Sequence, residues 1–133
     1  MPAQKVLIID DEPTIRYMVA RILERAGYST VAAANGAQGY ACFCRERPSI
    51  VITDLIMPVR EGIETIHRIR REGADLPIIA MSGSTSNRKG GVDFLSMARE
   101  LGATEILRKP FEPAELLDTV QRCLAAPNLA DRV

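Results

Sequence analysis

Four apolar runs punctuate this chain, most of them rich in β-branched residues, and each ends in a residue able to do chemistry. Val6-Leu7-Ile8-Ile9 ends in Asp10-Asp11, Ile50-Val51-Ile52-Thr53 in Asp54, Ile78-Ile79-Ala80-Met81 in Ser82, and Ile106-Leu107-Arg108 in Lys109-Pro110. Short runs without polar alternation suit strands buried on both faces, as in a parallel sheet covered by helices. The carboxyl ends of such strands share one edge, and ligands bind there. Residues as far apart as Asp10 and Lys109 are therefore expected to meet.

The intervening segments carry helical spacing. Pro13 opens the first, where its missing N–H costs nothing, and Ile15, Met18 or Val19, Ile22 and Ala26 repeat on one face until Gly27. Thr30 to Ala34 reads as a more polar strand at a sheet edge, followed by a turn at Asn35-Gly36. Tyr40 and Phe43 mark the inner stripe of a helix reaching about Arg47, with Gly39 as a close-packing point. Met57-Pro58 and Gly62 punctuate a long turn before Ile63, Ile66 and Ile69 on the next helix. Ser84 to Gly91 reads as a polar loop, Leu95, Ala98 and Leu101 as a further helix, and Leu116, Leu117, Val120 and Leu124 as the last. The pattern is five βα units over residues 1–125, with 126–133 as a short tail.

Composition narrows the class. With 133 residues, 47% hydrophobic and only 5% aromatic, the chain can build one aliphatic core and is too short for two ordinary domains. Seventeen basic residues balance seventeen acidic ones, so no overall field favours nucleic acid or an anionic membrane surface. The N-terminus lacks a secretory pattern and the apolar runs are too short to cross a bilayer, which leads to the expectation of a cytoplasmic protein without membrane insertion. Cys42, Cys44 and Cys123 contain no C-x-x-C, and His67 is the only histidine, so no soft-metal set is present; the C-x-C pair Cys42 and Cys44 reads as small hydrophobic helix filler.

Carboxylates converging at one sheet edge raise each other's proton affinity unless a cation or hydrogen bonds intervene. Asp10, Asp11 and Asp54 offer hard oxygen ligands, which select Mg2+, or the chemically similar Mn2+, over Zn2+. Lys109 adds a point charge and Ser82 a hydroxyl donor. Together these groups can surround a phosphoryl group on Asp54, with Asp54 as nucleophile and the others neutralising the equatorial oxygens. Taken singly, each has a bland reading: the acidic run as a complement to a helix dipole, Asp54 as a strand terminus, Ser82 as a turn residue, Lys109-Pro110 as a solvated charge and a strand stop. Their joint order is what points to chemistry.

That order closely resembles the response-regulator receiver domain of two-component signalling, of the stand-alone, chemotaxis-regulator-like kind. The resemblance spans Lys5 to Leu124 and rests on Val6-Leu7-Ile8-Ile9-Asp10-Asp11-Glu12-Pro13, Asp54-Leu55-Ile56-Met57-Pro58 with Gly62, Ser82-Gly83, and Lys109-Pro110-Phe111. It implies a flavodoxin-like (βα)5 doubly wound parallel sheet of strand order 2-1-3-4-5, an order that general rules for this architecture already give for the family. It further implies that Asp54 accepts phosphate from a histidine kinase or histidine phosphotransfer protein. Mg2+ would be held by Asp11, Asp54 and the backbone carbonyl of Ile56, with Asp10 acting through water. Ser82 would turn toward the phosphoryl group and Lys109 would pair with it. The resemblance also implies a Lys109-Pro110 bond that is commonly cis, a monomer or weak dimer, and an unidentified downstream protein target reached by changed binding or onward phosphotransfer.

Three departures stand out against that family. Ile106 occupies a position where many relatives carry Tyr or Phe, Ser82 one where Thr is also common, and the Ser82–Lys109 interval is about five residues longer than usual, an excess assigned to Ser84 to Gly91. The long loop is expected to leave the helix after it mobile until activation. Competing readings are a metal-dependent phosphohydrolase with an aspartyl-phosphate intermediate, a flavodoxin-type electron carrier, and a non-phosphorylated interaction module. The first would favour an acid where Ile56 stands, the second would need anion-binding donors where Asp10-Asp11-Glu12 stands, and the third leaves the acidic and lysine positions unexplained.

Overall fold

A computed structural model describes residues 3–55, 59–72, 75–83, 96, 99–100 and 102–125, for residues 59–61 the backbone only. Strands and helices alternate: β1 (Lys5–Ile9), α1 (Pro13–Arg25), β2 (Ser29–Ala33), α2 (Gly36–Glu46), β3 (Ile50–Asp54), α3 (Val59–Arg71), β4 (Ile78–Ser82), β5 (Glu105–Arg108) and α4 (Pro113–Ala125). All strand pairs are parallel, in the order β2-β1-β3-β4-β5. The fold is the flavodoxin-like doubly wound sheet that the sequence predicts, with the polar β2 at an edge.

Strand alternation decides which residues meet which helices. Val6, Ile8, Ile50, Ile52, Ile79, Met81 and Leu107 pack on one face with Val19 and Leu23 of α1 and Leu116 and Val120 of α4. Leu7, Ile9, Val51, Ile78 and Ala80 pack on the other with Ile66 and Ile69 of α3 and with Tyr40 and Phe43 of α2. Helices cover both faces, so the strands read as unbroken apolar runs, and each fully buried Ile or Leu contributes about 1.5–3 kcal/mol.

Helix boundaries follow local chemistry. Pro13 opens α1, and Gly27 at φ +99° lets the chain turn away after it. Val19 is buried on α1, whereas Met18 is 37% exposed, so Val19 continues the inner stripe. Asn35 is the N-cap of α2 and not part of a free turn: its Oδ1 accepts from the Gln38 N–H at 2.9 Å, and Gln38 Oε1 accepts from the Ala34 N–H at 3.1 Å. Gly39 is a close-packing point, since a Cβ there would lie 2.5 Å from Ile9 Cδ1. Gly62, expected in a turn, lies inside α3. Of the cysteines, Cys123 and Cys42 pack into the core clusters, but Cys44 is exposed and fills nothing.

Ser96, Arg99 and Glu100 have helical backbone in the stretch where a helix is expected before β5. Leu95, Ala98 and Leu101, the loop Ser84 to Gly91, residues 56–58 and the tail 126–133 lie outside the described residues. Among the described residues, no helix is long and apolar enough to cross a membrane.

At the opposite edge of the sheet from Asp54, Arg70 binds three segments together. Its guanidinium donates from Nε and Nη2 to the Gly102 carbonyl at 2.9 and 2.7 Å, and from Nη1 to the Leu76 carbonyl at 2.6 Å. Nη2 also lies 3.3 Å from Thr104 Oγ1, which accepts from the Ile78 N–H at 3.1 Å. This ties α3 to the entries of β4 and β5. Burial lowers the guanidinium pKa from its ordinary value.

Candidate functional site

Sheet register alone brings two carboxylates together. β1 and β3 pair Ile8 with Ile52 and Ile9 with Thr53, so one further step sets Asp10 level with Asp54, and alternation points both to the same side. Both are buried. On the next strand Asp54 pairs with Met81, and the Leu55 N–H donates to the Met81 carbonyl at 3.0 Å, so Ser82 follows one step beyond. The Lys109 N–H donates to the Ser82 carbonyl at 2.7 Å, which brings the end of β5 to the same edge.

Lys109 closes the cluster. Its Nζ lies 3.1 Å from Asp10 Oδ2 and 3.3 Å from Asp54 Oδ2. Burial alone would push the ammonium pKa down, but the Asp54 and Asp10 carboxylates outweigh it and hold the pKa above the ordinary lysine value. The Lys109-Pro110 bond is cis, as the family resemblance implies. The Ser82 hydroxyl oxygen is buried and has no hydrogen-bond partner among the described residues, a state that costs about 1–3 kcal/mol unless something at the site uses it.

Asp10 is held from several sides. Its Oδ1 accepts from the Glu12 N–H at 2.9 Å, its Oδ2 from Lys109, and its main-chain carbonyl from Arg16 Nη1 at 2.7 Å, while its own N–H donates to the Ala33 carbonyl at 3.1 Å. Arg16 was not legible as part of the site, because a single arginine in the second turn of a predicted helix carries no signal of what it reaches. Its bond holds the turn that carries Asp11.

Asp10, Asp11 and Asp54 each offer one carboxylate oxygen, all within 4.8 Å of one another, with Asp11 exposed and the other two buried. Three hard oxygens at that spacing fit Mg2+ or Mn2+, and the exposure of Asp11 leaves room for the waters such an ion retains. The sequence-predicted residues Asp10, Asp11, Asp54, Ser82 and Lys109 thus share one edge. Ile56, whose backbone carbonyl was expected as a ligand, lies outside the described residues. Ile106 is half-buried against the Leu7–Ile9 side of the core.

Comparison with known proteins agrees with this geometry. The family model for the response regulator receiver domain matches residues 6–121. The chain is 35% identical over 133 residues to the phosphate regulon transcriptional regulatory protein PhoB of Pseudomonas aeruginosa, covering 98% of this chain and 56% of that protein. It is 33% identical over 124 residues to sporulation initiation phosphotransferase F of Bacillus subtilis, covering 93% of this chain and 96% of that one. The solved structure of chemotaxis response regulator CheY4 of Vibrio cholerae superposes with a TM-score of 0.80 at 36% identity, covering 91% of this chain and 98% of that one. The chain spans about half the length of the transcriptional regulator and nearly all of the two smaller proteins. With five parallel strands in the order 2-1-3-4-5 and an acidic edge closed by a lysine, the chain belongs to the response regulator receiver domain family, the phosphoacceptor signalling domains of two-component systems.

Proposed function

We propose that Asp54 is the phosphoacceptor and that the chain works as a receiver, with residues 1–125 as the receiver unit and 126–133 following it. The observation that carries this reading is the Lys109 ammonium shared between the buried carboxylates of Asp10 and Asp54. A carboxylate oxygen of Asp54 attacks phosphorus, an O–P bond forms, and the P–N bond of a phosphohistidine donor breaks with its electron pair returning to the imidazole. Lys109 remains beside Asp54 and neutralises the added oxygens, while the buried Ser82 hydroxyl donates to one of them. Mg2+, held by Asp11 and Asp54 and oriented through Asp10, would supply the remaining positive charge when bound.

The donor is a histidine kinase or histidine phosphotransfer protein, and the output is changed affinity for a downstream protein or onward transfer of the group. The chain then catalyses only its own phosphorylation and dephosphorylation. The family match does not favour the phosphohydrolase, electron-carrier or non-phosphorylated readings. Intact-protein mass spectrometry with Mg2+ and acetyl phosphate tests the assignment. One acid-labile phosphoryl group is expected on the wild type and none on Asp54→Asn, while Asp11→Ala should lose the Mg2+ dependence. Equal labelling of wild type and Asp54→Asn would remove Asp54 from the role.

A further inference from the structure

The carboxylate of Asp54 can only be as well placed as its main chain, and two residues outside the charged cluster bear on that main chain. Thr53 is fully buried and its Oγ1 donates to the Asp54 carbonyl at 3.3 Å. Gly62 presents its bare face to the same oxygen: a Cβ there would lie 2.5 Å from Asp54 O and 3.1 Å from the Leu55 Cα. Non-bonded atoms rest at roughly 3.5 Å, so any side chain at this position must displace α3 or the end of β3. A glycine inside a helix is destabilising relative to alanine, and this close approach is the physical reason to keep one.

Gly39 makes a useful contrast. The atoms that an added Cβ would meet there all belong to the side chain of Ile9, which can be trimmed or rotated. At Gly62 the obstacle is the peptide of the acceptor itself, which the Leu55 N–H also pins to the Met81 carbonyl at 3.0 Å. No rotamer change relieves it.

We propose that Thr53 and Gly62 are positioning residues for phosphoryl transfer, fixing the Asp54 peptide so that its carboxylate stays beside Lys109 and in line with the incoming phosphorus. This rests on the reading of Asp54 as the acceptor. Misplacement by about 1 Å can cost a hundredfold in rate, so displacement of the acceptor main chain affects catalysis beyond its effect on stability.

The test measures phosphorylation of the full chain by acetyl phosphate with Mg2+ at saturating donor, alongside urea stability. The variants are Gly62→Ala, Thr53→Val, Thr53→Ser and Gly39→Ala. Gly62→Ala should lower the maximal rate by about tenfold to a hundredfold. Thr53→Val should lower it several-fold, Thr53→Ser should restore it, and Gly39→Ala should run at the wild-type rate once the folded fractions are matched. A wild-type rate in Gly62→Ala, or an equal slowing in Gly39→Ala at matched stability, overturns the proposal. If Gly62→Ala does not fold, the threonine pair decides: equal rates in Thr53→Val and Thr53→Ser overturn it. Absence of label on the wild type sinks the acceptor reading first, whereas a labelled wild type with unaffected variants sinks only this inference.

Discussion

Lys109 Nζ stands 3.3 Å from Asp54 Oδ2 in an ion pair that leaves 3% of the aspartate side chain and 18% of the lysine side chain exposed. With Asp10 on its other side, the lysine is the one cation among the described residues that holds these two acids together. Lys109→Met should therefore lower stability by about 3 kcal/mol, the low end of the cost of breaking a buried pair, because the lysine side chain keeps some contact with solvent. Millimolar Mg2+ should recover part of that loss. Urea unfolding with Mg2+ and with a chelator measures both effects, and an unchanged midpoint in the chelated variant would count against the pairing.

The same pair sets an alkaline limit. The folded pKa of Lys109 is raised, so its contribution is fully present below the unfolded lysine value of about 10.4 and is lost only as pH rises through the folded value. The stability difference between wild type and Lys109→Met should stay level from neutral pH to about 10 and narrow above it. A difference that narrows between pH 7 and 9 would contradict the raised value.

At Gly39, alanine should cost about 1–3 kcal/mol from overpacking against Ile9, less up to about 1 kcal/mol gained in helix propensity. Ile9→Val removes the nearest atom, Cδ1, so the double variant should be more stable than the two single costs predict by about 1 kcal/mol. A double-mutant cycle in urea reads this coupling directly. Strict additivity would show that the backbone, not Ile9, absorbs the new methyl.

Arg70→Met should destabilise by about 2–3 kcal/mol, because it removes bonds to the Gly102 and Leu76 carbonyls at the entries of β4 and β5. Arg71→Met, at an exposed position on the same helix, should stay within about 0.5 kcal/mol of wild type. Equal effects would reduce Arg70 to an ordinary surface charge.

The thiols should differ in reactivity. Burial, aided by the nearby Glu105 carboxylate, pushes the Cys123 pKa up to about 11, while Cys44 is exposed. Iodoacetamide at neutral pH should label Cys44 first and reach Cys123 only after unfolding, as peptide mass spectrometry would register. Fast labelling of Cys123 in the folded protein would mean that the α4 face opens readily.

Ile56 carries an expectation from the family resemblance, in which the position two residues after the acceptor borders the phosphoryl group. A branched alkyl side chain two residues after the acceptor cannot orient a water for attack on phosphorus, so the phosphorylated wild type should decay more slowly than Ile56→Asn under the same Mg2+ conditions. Equal lifetimes would remove Ile56 from the control of signal duration.

Much of this protein was legible in its residues because a parallel sheet turns local pattern into position. Strands buried on both faces must be continuous apolar runs, so Val6–Ile9, Ile50–Thr53 and Ile78–Met81 announced themselves, and the residue ending each run was bound to lie at the ligand-binding edge. The family order of strands followed from the motifs, and Gly39 was recognisable as a helix glycine needing a packing reason. Tertiary structure alone decided the rest, because those facts depend on distances between residues remote in sequence. Lys109 reaches Asp10 across 99 positions, and only the β1–β3 register sets Asp10 level with Asp54. The rotation of α1 buries Val19 and exposes Met18, a choice that apolar spacing left open. Gly62 looked like turn punctuation, yet it lies in α3 where a helix meets the acceptor carbonyl, since close approach between backbones depends on packing rather than on the local character of either segment.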